Sequence, residues 1–210
     1  MRDLFIVGAG GFGREAVWTV ERINKASQQP LWNVIGFADD DPTKASGNFE
    51  GYPMLGDCEK ASHDHPGASV FIAIGDNETR ERLYRRLRGH DFPALIDPSA
   101  QVSPTTEFRH GTYIACESVV SVGTDIGKFV IINSRAGVGH DSTVGDFANI
   151  CPGVSLSGHT KIGHHAFMGA NSCTAPGMTV GSGATVCCGT PVLTDVKDGT
   201  TLSPFGSLKR

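Results

Sequence analysis

The sequence predicts two domains of different class: an α/β Rossmann-like half-domain at residues 1–97 and an all-β parallel β-helix at residues 98–198, with a C-terminal tail at residues 199–210. Three observations predict this division. The first half alternates short apolar runs with helical patterns. The second half repeats an apolar residue at every sixth position. Between them stands Asp97-Pro98, and proline disfavours helical backbone at the residue before it.

The N-terminal domain begins with a strand that leads into a glycine-rich turn. Leu4–Val7 is an apolar run, and after the turn comes a helical pattern with one apolar face: Ala16, Val17, Val20 and Ile23. Glycines at such a turn let backbone N–H groups approach a diphosphate at the helix N-terminus. The same turn also arises for packing alone, so a purely structural turn is the alternative to nucleotide binding. We assign four turn residues to substrate binding: Gly8, Gly10, Gly11 and Gly13.

Two further predicted strands end in polar turns. Val34–Ala38 runs into the acidic turn that begins at Asp39, and Ser69–Ile74 runs into a turn that ends at Asn77. Parallel strands bring their carboxyl ends to one edge, where α/β sheets bind ligands. There we expect Asp39 to accept a hydrogen bond from a ribose hydroxyl, the alternative being a solvated acidic turn. We expect Arg80 to reach a phosphate, the alternative being a solvated face of an arginine-rich helix. The residues assigned to substrate at this edge are Asp39, Asp40, Gly75, Asn77 and Arg80.

The C-terminal half carries the six-residue period without insertion or deletion from Val102 to Val192. Only Thr174 among the sixteen members is polar, and a mostly small residue stands two positions before each member. A period of six fits neither a helix nor a lone strand, but it is typical of a coil that makes a short strand, turns a corner and repeats. Three strands per coil stack residues that lie 18 apart. Such a coil has no cleft of its own, so we expect its chemistry on the outside, between neighbouring copies of the chain.

One histidine of the coil, His140, is the candidate for acid–base chemistry. Asp141 follows it, and a carboxylate beside an imidazole can fix its tautomer and support the cation formed on taking a proton. Neighbouring side chains on an extended chain point apart, so adjacency does not establish this contact. The 18-residue stacking places His140 under Gly158 with His159 beside it. For His110, His164 and His165 we favour surface or corner positions without a direct role.

Composition limits the partners and the compartment. A net charge of -4 and a pI near 6.0 argue against nucleic acid as a partner. The six cysteines form no C-x-x-C pair, so we expect no metal site, reduced thiols and a cytoplasmic protein. The apolar run near the N-terminus is too short for a signal peptide or a membrane span.

Both halves in this order resemble the hexapeptide-repeat sugar acyltransferases, above all bacterial acetyltransferases that act on nucleotide-linked 4-amino-4,6-dideoxy sugars. The stretches that carry the resemblance are residues 6–11, 39–40, 71–78, 139–141, 161–163 and 168–173. The resemblance implies a left-handed coil, a homotrimer, acetyl-CoA as co-substrate without a further cofactor, and an N-terminal domain that holds the nucleotide-linked amino sugar. It implies His140 as general base, oriented by Asp141. It also implies a CoA groove lined by Asn133, Asn149, Gly158, His159 and Ala170.

Several alternatives stay open at this point. O-acetylation of a sugar or sialic acid hydroxyl uses the same layout, and a non-catalytic β-helix scaffold that senses a nucleotide is a rival from another class. An NAD-dependent enzyme is disfavoured, because residues 1–97 provide about one mononucleotide-binding half of a dinucleotide-binding fold. The sequence does not name the nucleotide (UDP, dTDP or GDP), the sugar, the acyl group or the pathway.

Overall fold

The structure, a computed structural model, describes residues 1–209. The chain divides into two compact units, one ending at Pro98 and one beginning at Ser99. Within the described residues no helix combines the length and the apolar character needed to cross a membrane.

The first unit is built on a three-stranded parallel sheet in the order β2-β1-β5. The predicted strands and helices are present, whereas α2 and the short β3–β4 hairpin lacked a periodic signal and were not predicted. The elements are β1 Arg2–Val7, α1 Gly11–Ala26, β2 Trp32–Ala38, a 3-10 turn Pro42–Lys44, β3 Asn48–Phe49, β4 Tyr52–Pro53, α2 Cys58–Asp64, β5 Ser69–Ile72, α3 Asn77–Arg86 and β6 Leu95–Ile96.

The central strand β1 forms the core of this unit. From Leu4 to Val7 every side chain is buried, as expected for a parallel strand flanked on both edges. Helix α1 packs its predicted apolar face inward through Ala16 and Val20. The chain passes from β1 to β2 on one side and then to β5 on the other side of β1, so the turns after β1 and β5 border a crevice of the kind that binds ligands in open α/β sheets.

The second unit is a parallel β-helix, which confirms the predicted fold class. Strands that pair directly lie 18 residues apart, as in the pairing of Val119 with Gly137. The strands are β7 Gln101–Val102, β8 Glu107–Phe108, β9 Tyr113–Ile114, β10 Val119–Val120, β11 Asp125–Ile126, β12 Ile131–Ile132, β13 Gly137–Val138, β14 Thr143–Val144, β15 Asn149–Ile150, β16 Ser155–Leu156, β17 Lys161–Ile162, β18 Phe167–Met168, β19 Cys173–Thr174, β20 Thr179–Val180, β21 Thr185–Val186, β22 Pro191–Val192, β23 Thr200–Ser203 and β24 Gly206–Lys209.

These strands form three faces. The first face contains β7, β10, β13, β16, β19 and β22, the second contains β8, β11, β14, β17 and β20, and the third contains β9, β12, β15, β18, β21 and β23. The predicted tail does not leave the coil: β23 pairs with β21 and turns back into β24.

The six-residue series fills the interior from Ile114 to Val192. The exceptions are the first two members, the half-buried Val102 and Phe108, which is 41% exposed, because β7 and β8 are the edge strands of their faces. The polar member, Thr174, is buried but satisfied, since its Oγ1 accepts from the backbone N–H of Ser157 at 3.0 Å and lies 2.9 Å from Thr160 Oγ1. A buried hydroxyl is tolerated when it is hydrogen-bonded in this way.

Every sixth residue from Gly111 to Gly189 has a positive φ, and this produces the corners of the coil. Left-handed backbone costs a residue other than glycine about 1–2 kcal/mol. The residues that nevertheless occupy these positions are Glu117, Phe129, Arg135, Asp141, Phe147, His159, His165 and Asn171. The sequence pattern did not reveal this feature, because polar, aromatic and glycine residues share the position.

A candidate active site at a corner of the β-helix

His140 and Asp141 lie at the corner between the first and second faces, immediately after β13. His140 Nδ1 is 2.8 Å from Asp141 Oδ2, and both side chains are half exposed. An extended chain separates neighbouring side chains, but Asp141 has a φ of 56°, and this left-handed turn brings its carboxylate back to the imidazole. The contact that sequence adjacency left undecided is therefore formed by the corner itself.

Gly158, one coil above, provides the space for the ring of His140. A Cβ at Gly158 would lie 2.5 Å from His140 Nε2 and 2.6 Å from Cε1, closer than any ordinary contact. The sequence assigned Gly158 to the CoA groove, and the structure shows in addition that its missing side chain leaves room for the ring of His140. Gly123, which the sequence analysis missed, has the same relation to Asp141 from the coil below, with a Cβ position 2.6 Å from Oδ1.

His159 completes the cluster at this corner. Its ring meets that of His140 edge to face, with the centroids 5.0 Å apart, and its Nε2 is 3.9 Å from Asp141 Oδ2. The hydrogen bond from His140, with a further electrostatic contribution from His159, lowers the pKa of Asp141 from its ordinary value. Asp141 therefore stays a carboxylate under mildly acidic conditions, which is the form that orients an imidazole.

The hydrogen bonds define the tautomer of His140. A carboxylate only accepts, so His140 Nδ1 donates to Asp141 and the neutral ring presents its lone pair at Nε2. His164, at the corner between the second and third faces, has the opposite arrangement. Its Nδ1 accepts from the backbone N–H of Asp146 at 3.0 Å, so the neutral ring carries its proton on Nε2. Only the first of these two rings can accept a proton at Nε2.

The remaining residues predicted for CoA do not lie at this corner. Asn133 and Ala170 follow β12 and β18 at the corner between the third and first faces. Asn149 lies within β15 and is buried, with 6% exposure. Gly158 and His159 are thus the members of the predicted CoA set that stand next to His140 within one chain. Their roles in CoA binding stay predictions.

His140, Asp141 and His159 offer ligand atoms within 4.8 Å of one another, and all three are exposed. Two imidazoles and a carboxylate are a donor set that zinc accepts. The absence of a metal stays a prediction from the sequence, and assays of this protein require a chelator as a control.

In the first unit, the residues predicted for substrate gather at the carboxyl edge of the sheet. Gly8 has a φ of 108°, and a Cβ there would lie 2.8 Å from Ala73 O, so the turn after β1 packs against the turn after β5. A Cβ at Gly13 would lie 2.1 Å from Gly8 O, which fixes helix α1 close to the strand. Gly10 and Gly11 are exposed and face open space. Two glycines thus serve packing, and two leave the start of α1 accessible.

The acidic pair after β2 is tied to its neighbours. Asp39 Oδ2 accepts from the backbone N–H of Ala9 at 2.9 Å and lies 3.1 Å from Lys44 Nζ, so this carboxylate anchors the glycine-rich turn. Asp40 accepts from the Cys58 N–H at 3.1 Å and pairs with Arg86. Partial burial raises the pKa of Asp40, but the hydrogen bonds from Arg86 and Cys58 outweigh it and lower the pKa overall.

Arg80 is not placed to meet a ligand directly. The side chain is 1% exposed, and its Nη1 donates to the backbone carbonyls of Ile74 at 2.7 Å and Gly75 at 3.0 Å. Burial lowers the pKa of Arg80, and the charge of Asp76 opposes the shift. The prediction of a direct phosphate contact is therefore corrected: Arg80 shapes the turn after β5. Gly75 is exposed and Asn77 half-buried in that turn, and both remain candidates for substrate contact.

Comparisons with known proteins agree with this architecture. Residues 3–87 match the family described as the PglD N-terminal domain. The acetyltransferase domain of PglB from Neisseria gonorrhoeae is 29% identical, covers 100% of both chains and has a TM-score of 0.88; it has also been solved with acetyl coenzyme A. A mutant of perosamine N-acetyltransferase from Caulobacter crescentus, in complex with CoA and GDP-perosamine, is 28% identical and covers 100% of this chain and 97% of that one, with a TM-score of 0.89.

These comparisons confirm the resemblance to the hexapeptide-repeat sugar acyltransferases. The curated proteins that the chain resembles include the bifunctional protein GlmU from Corynebacterium aurimucosum, 33% identical over 125 residues that cover 54% of this chain and 26% of the relative. The chain spans about a quarter to a third of the length of the GlmU proteins it matches.

Proposed function

We propose that this acyltransferase moves an acetyl group from acetyl-CoA to the amine of a nucleotide-linked amino sugar, with His140 as general base. The observation that carries the proposal is the His140–Asp141 pair, in which Nδ1 is engaged by the carboxylate and the ring packs into the space left by Gly158. The PglB domain and the perosamine N-acetyltransferase support the substrate class, since they have been solved with acetyl coenzyme A or with CoA and GDP-perosamine. A 4-amino-4,6-dideoxy sugar is the acceptor we favour.

In the proposed reaction, His140 Nε2 takes a proton from the amine as the amine nitrogen attacks the thioester carbonyl. A C–N bond forms, the C–S bond breaks, and the proton on His140 passes to the departing sulfur to give CoA. A positioned base of this kind contributes about 10²–10⁴-fold in rate. Asp141 stabilises the imidazolium that forms in between. A backbone N–H of the coil would stabilise the oxyanion, and holding amine and thioester together supplies further acceleration.

The first unit would hold the nucleotide part of the acceptor at the carboxyl edge of its sheet. The exposed Gly10 and Gly11 leave the N–H groups at the start of α1 accessible to a diphosphate. Asp39 holds this turn through Ala9, and Arg80 holds the turn after β5. Both turns are thus fixed before a ligand arrives, which lowers the entropic cost of binding.

We also propose that the site is completed by a second copy of the chain, as in a homotrimer. The outward strand positions of the first face carry no charge, and one of them, Val119, is 45% exposed. These positions are Gln101, Val119, Gly137, Ser155, Cys173 and Pro191. The second face carries Glu107, Asp125 and Lys161 at the equivalent positions. Uncharged surface is typical of the centre of an interface. Because the His140 corner borders the first face, a copy packed there would line the groove for acetyl-CoA.

Transfer is tested by release of free CoA thiol from acetyl-CoA with a panel of UDP-, dTDP- and GDP-linked amino sugars. We expect release with at least one acceptor, and product analysis should locate the acetyl group on nitrogen. Acetylation of a hydroxyl would contradict N-acetylation. Nucleotide binding without thiol release from any acceptor would support the scaffold alternative.

Assembly is tested by sedimentation of Ser155→Arg, which places a charge on the first face, with Thr143→Arg on the second face as the matched control. We expect Ser155→Arg to dissociate the trimer and Thr143→Arg to leave it intact. A monomeric wild type would contradict the proposed groove. The cytoplasmic location stays a prediction, supported by the six unpaired cysteines.

A further inference from the structure

We propose that Arg135 of each copy forms an ion pair with Asp141 of the partner subunit in the homotrimer, so that every active site is completed by an arginine from another chain. This inference rests on the proposed function and on the proposed trimer, and it names the residue that the second copy supplies. Arg135 is thereby a positioning residue, because it holds the carboxylate that orients His140 and does not itself touch the substrate.

Arg135 lies at the corner between the third and first faces, just before β13, and its side chain is exposed. Its backbone N–H donates to Cys116 O at 3.1 Å, but within residues 1–209 the guanidinium makes no ion pair and no hydrogen bond. This includes Glu117, which lies one coil below at the same corner. The edge of the uncharged first face therefore carries a cation whose partner is not in its own chain.

A matching acceptor stands at the opposite edge of the same face. Asp141 Oδ2 lies 2.8 Å from His140 Nδ1, whereas Asp141 Oδ1 accepts no hydrogen bond from any residue that the structure describes. Oδ1 lies beside Gly123, which has no side chain to cover it. Because Arg135 precedes β13 and Asp141 follows it, a single coil carries a cation at one edge of the first face and an anion at the other.

The symmetry of a ring brings these two edges together. The first face runs the length of the coil, from β7 to β22, so copies that pack along it are related by an axis parallel to the coil. A rotation about such an axis leaves each residue at its own height. In a cyclic trimer, one edge of the face meets the opposite edge in the next copy. Arg135 therefore comes to the height of Asp141 of the partner subunit.

The neighbouring coil supports the same arrangement. One coil below, Glu117 occupies the position of Arg135, and Gly123 occupies the position of Asp141. In the closed ring, Glu117 thus faces a residue without charge. A displacement by one coil would set Glu117 against Asp141 of the partner subunit, where like charges repel, and a displaced contact builds an open filament instead of a ring. The charges at the two edges therefore favour the closed trimer.

The ion pair acts on the reaction through the carboxylate. A guanidinium that donates to Oδ1 stops the carboxylate from rotating, and the other oxygen, Oδ2, then holds His140 Nδ1 in a fixed direction. Without Arg135 the carboxylate and the imidazole lose this restraint. We therefore expect Arg135→Gly to lower kcat by about fivefold to tenfold and to leave the KM for acetyl-CoA unchanged within about twofold.

The test is complementation between two full-length variants, Arg135→Gly and His140→Ala. Arg135 has a φ of 57°, and Gly153 has a positive φ one coil above, so Arg135→Gly keeps the backbone conformation. When the two variants are co-expressed and assemble at random, about a quarter of the sites combine an intact His140 with an intact Arg135 from the next chain. We expect about a quarter of wild-type turnover. Co-expression of His140→Ala with Asp141→Asn is the control and should recover nothing, because both changes fall at one corner of one chain.

Two further variants separate a shared site from a structural role. Arg135→Lys should restore most of the kcat lost in Arg135→Gly, and Glu117→Gly, which removes a charge from the same corner, should leave kcat unchanged within about twofold. Turnover in the co-expressed pair that does not exceed the mean of the two single variants would overturn the proposal, and so would wild-type kcat in Arg135→Gly.

If the wild type transfers no acetyl group, the proposed function fails separately, and sedimentation tests the contact without turnover. Arg135→Asp should weaken the trimer, because two carboxylates then face each other, and the added change Asp141→Arg should restore it. A trimer that is equally stable in Arg135→Asp and in the wild type would overturn the proposal.

Discussion

Two corners of the β-helix carry a histidine beside an aspartate, yet they differ in the one respect that matters for proton transfer. At the corner between the first and second faces, the carboxylate of Asp141 accepts from His140 Nδ1 and leaves Nε2 open. At the corner between the second and third faces, the backbone N–H of Asp146 donates to His164 Nδ1, and Asp146 Oδ2 is 4.0 Å away.

The difference arises from the backbone. Asp141 follows its histidine and occupies the left-handed position of the corner, so its side chain turns back onto the ring. Asp146 lies one coil below His164 and is not at a left-handed position, and its carboxylate is engaged by the Lys128 side chain at 3.5 Å and by the Lys128 N–H at 3.0 Å. A histidine–aspartate pair therefore becomes a base only where the carboxylate, and not an amide, occupies Nδ1.

The largest effect is expected from removing the base. We predict that His140→Ala lowers turnover by at least about 10²-fold while nucleotide-sugar binding persists, because His140 Nε2 is the proposed proton acceptor. His164→Ala, the matched change at the other corner, should leave turnover unchanged within about twofold. Steady-state thiol release and calorimetric binding check both. Equal losses in the two variants would remove the distinction between the corners.

The next effect concerns the carboxylate. We predict that Asp141→Asn lowers kcat by about 10- to 10²-fold, since an amide no longer stabilises the imidazolium. Because the pKa of Asp141 is lowered, its charge persists until the pH falls well below the range in which imidazoles protonate. The matched control is Asp146→Asn, and a comparable kcat loss there would count against the account.

A smaller effect separates the two glycines of the active corner. Gly158→Ala places a methyl group against the His140 ring, which is a side chain and can move aside. Because the ring is then displaced, we expect about a tenfold lower kcat with thermal stability retained. A Cβ at Gly139 would lie 2.6 Å from the backbone N of Gly158 and 2.6 Å from the carbonyl carbon of Ser157. These are backbone atoms, which cannot move aside as a side chain can. Gly139→Ala should therefore lower Tm, at a cost of about 1–3 kcal/mol. Calorimetric melting beside kinetics resolves the pair, and a stable, fully active Gly158→Ala would contradict the role given to Gly158.

The smallest effect lies in the first unit. Asp39→Ala removes the acceptor of the Ala9 N–H and loosens the glycine-rich turn, so the KM for the nucleotide-sugar should rise about fivefold to tenfold with kcat retained. Asp41→Ala is the control, because the Asp41 side chain is exposed and caps only its own turn at Thr43. An unchanged KM in Asp39→Ala would place the nucleotide elsewhere.

Periodicity predicted most of the fold, because a strict six-residue repeat admits few packings and the apolar series from Ile114 onward is buried as expected. Alternation of strands and helices likewise predicted the sheet around β1. The sequence missed α2, whose seven residues are too few to show a helical period. It also missed the course of residues 199–209, because a hairpin on a sheet edge has no hexad signal.

The sequence predicted part of the candidate site, and the physical reason for each success or failure differs from residue to residue. His140 and Asp141 stood out by type, but their contact depends on a positive φ that the sequence does not show. The 18-residue stacking placed Gly158 and His159 correctly. Arg80 was misjudged because its charge suggested a surface role, whereas carbonyls of the turn after β5 satisfy the guanidinium inside the unit.

The most direct measurement is nitrogen NMR of the imidazoles near neutral pH, with each ring assigned through His140→Ala and His164→Ala. The account predicts that the neutral ring of His140 carries its proton on Nδ1 and that the neutral ring of His164 carries it on Nε2. A His140 ring that is protonated on Nε2 would contradict the account, because no lone pair would then face the acceptor amine.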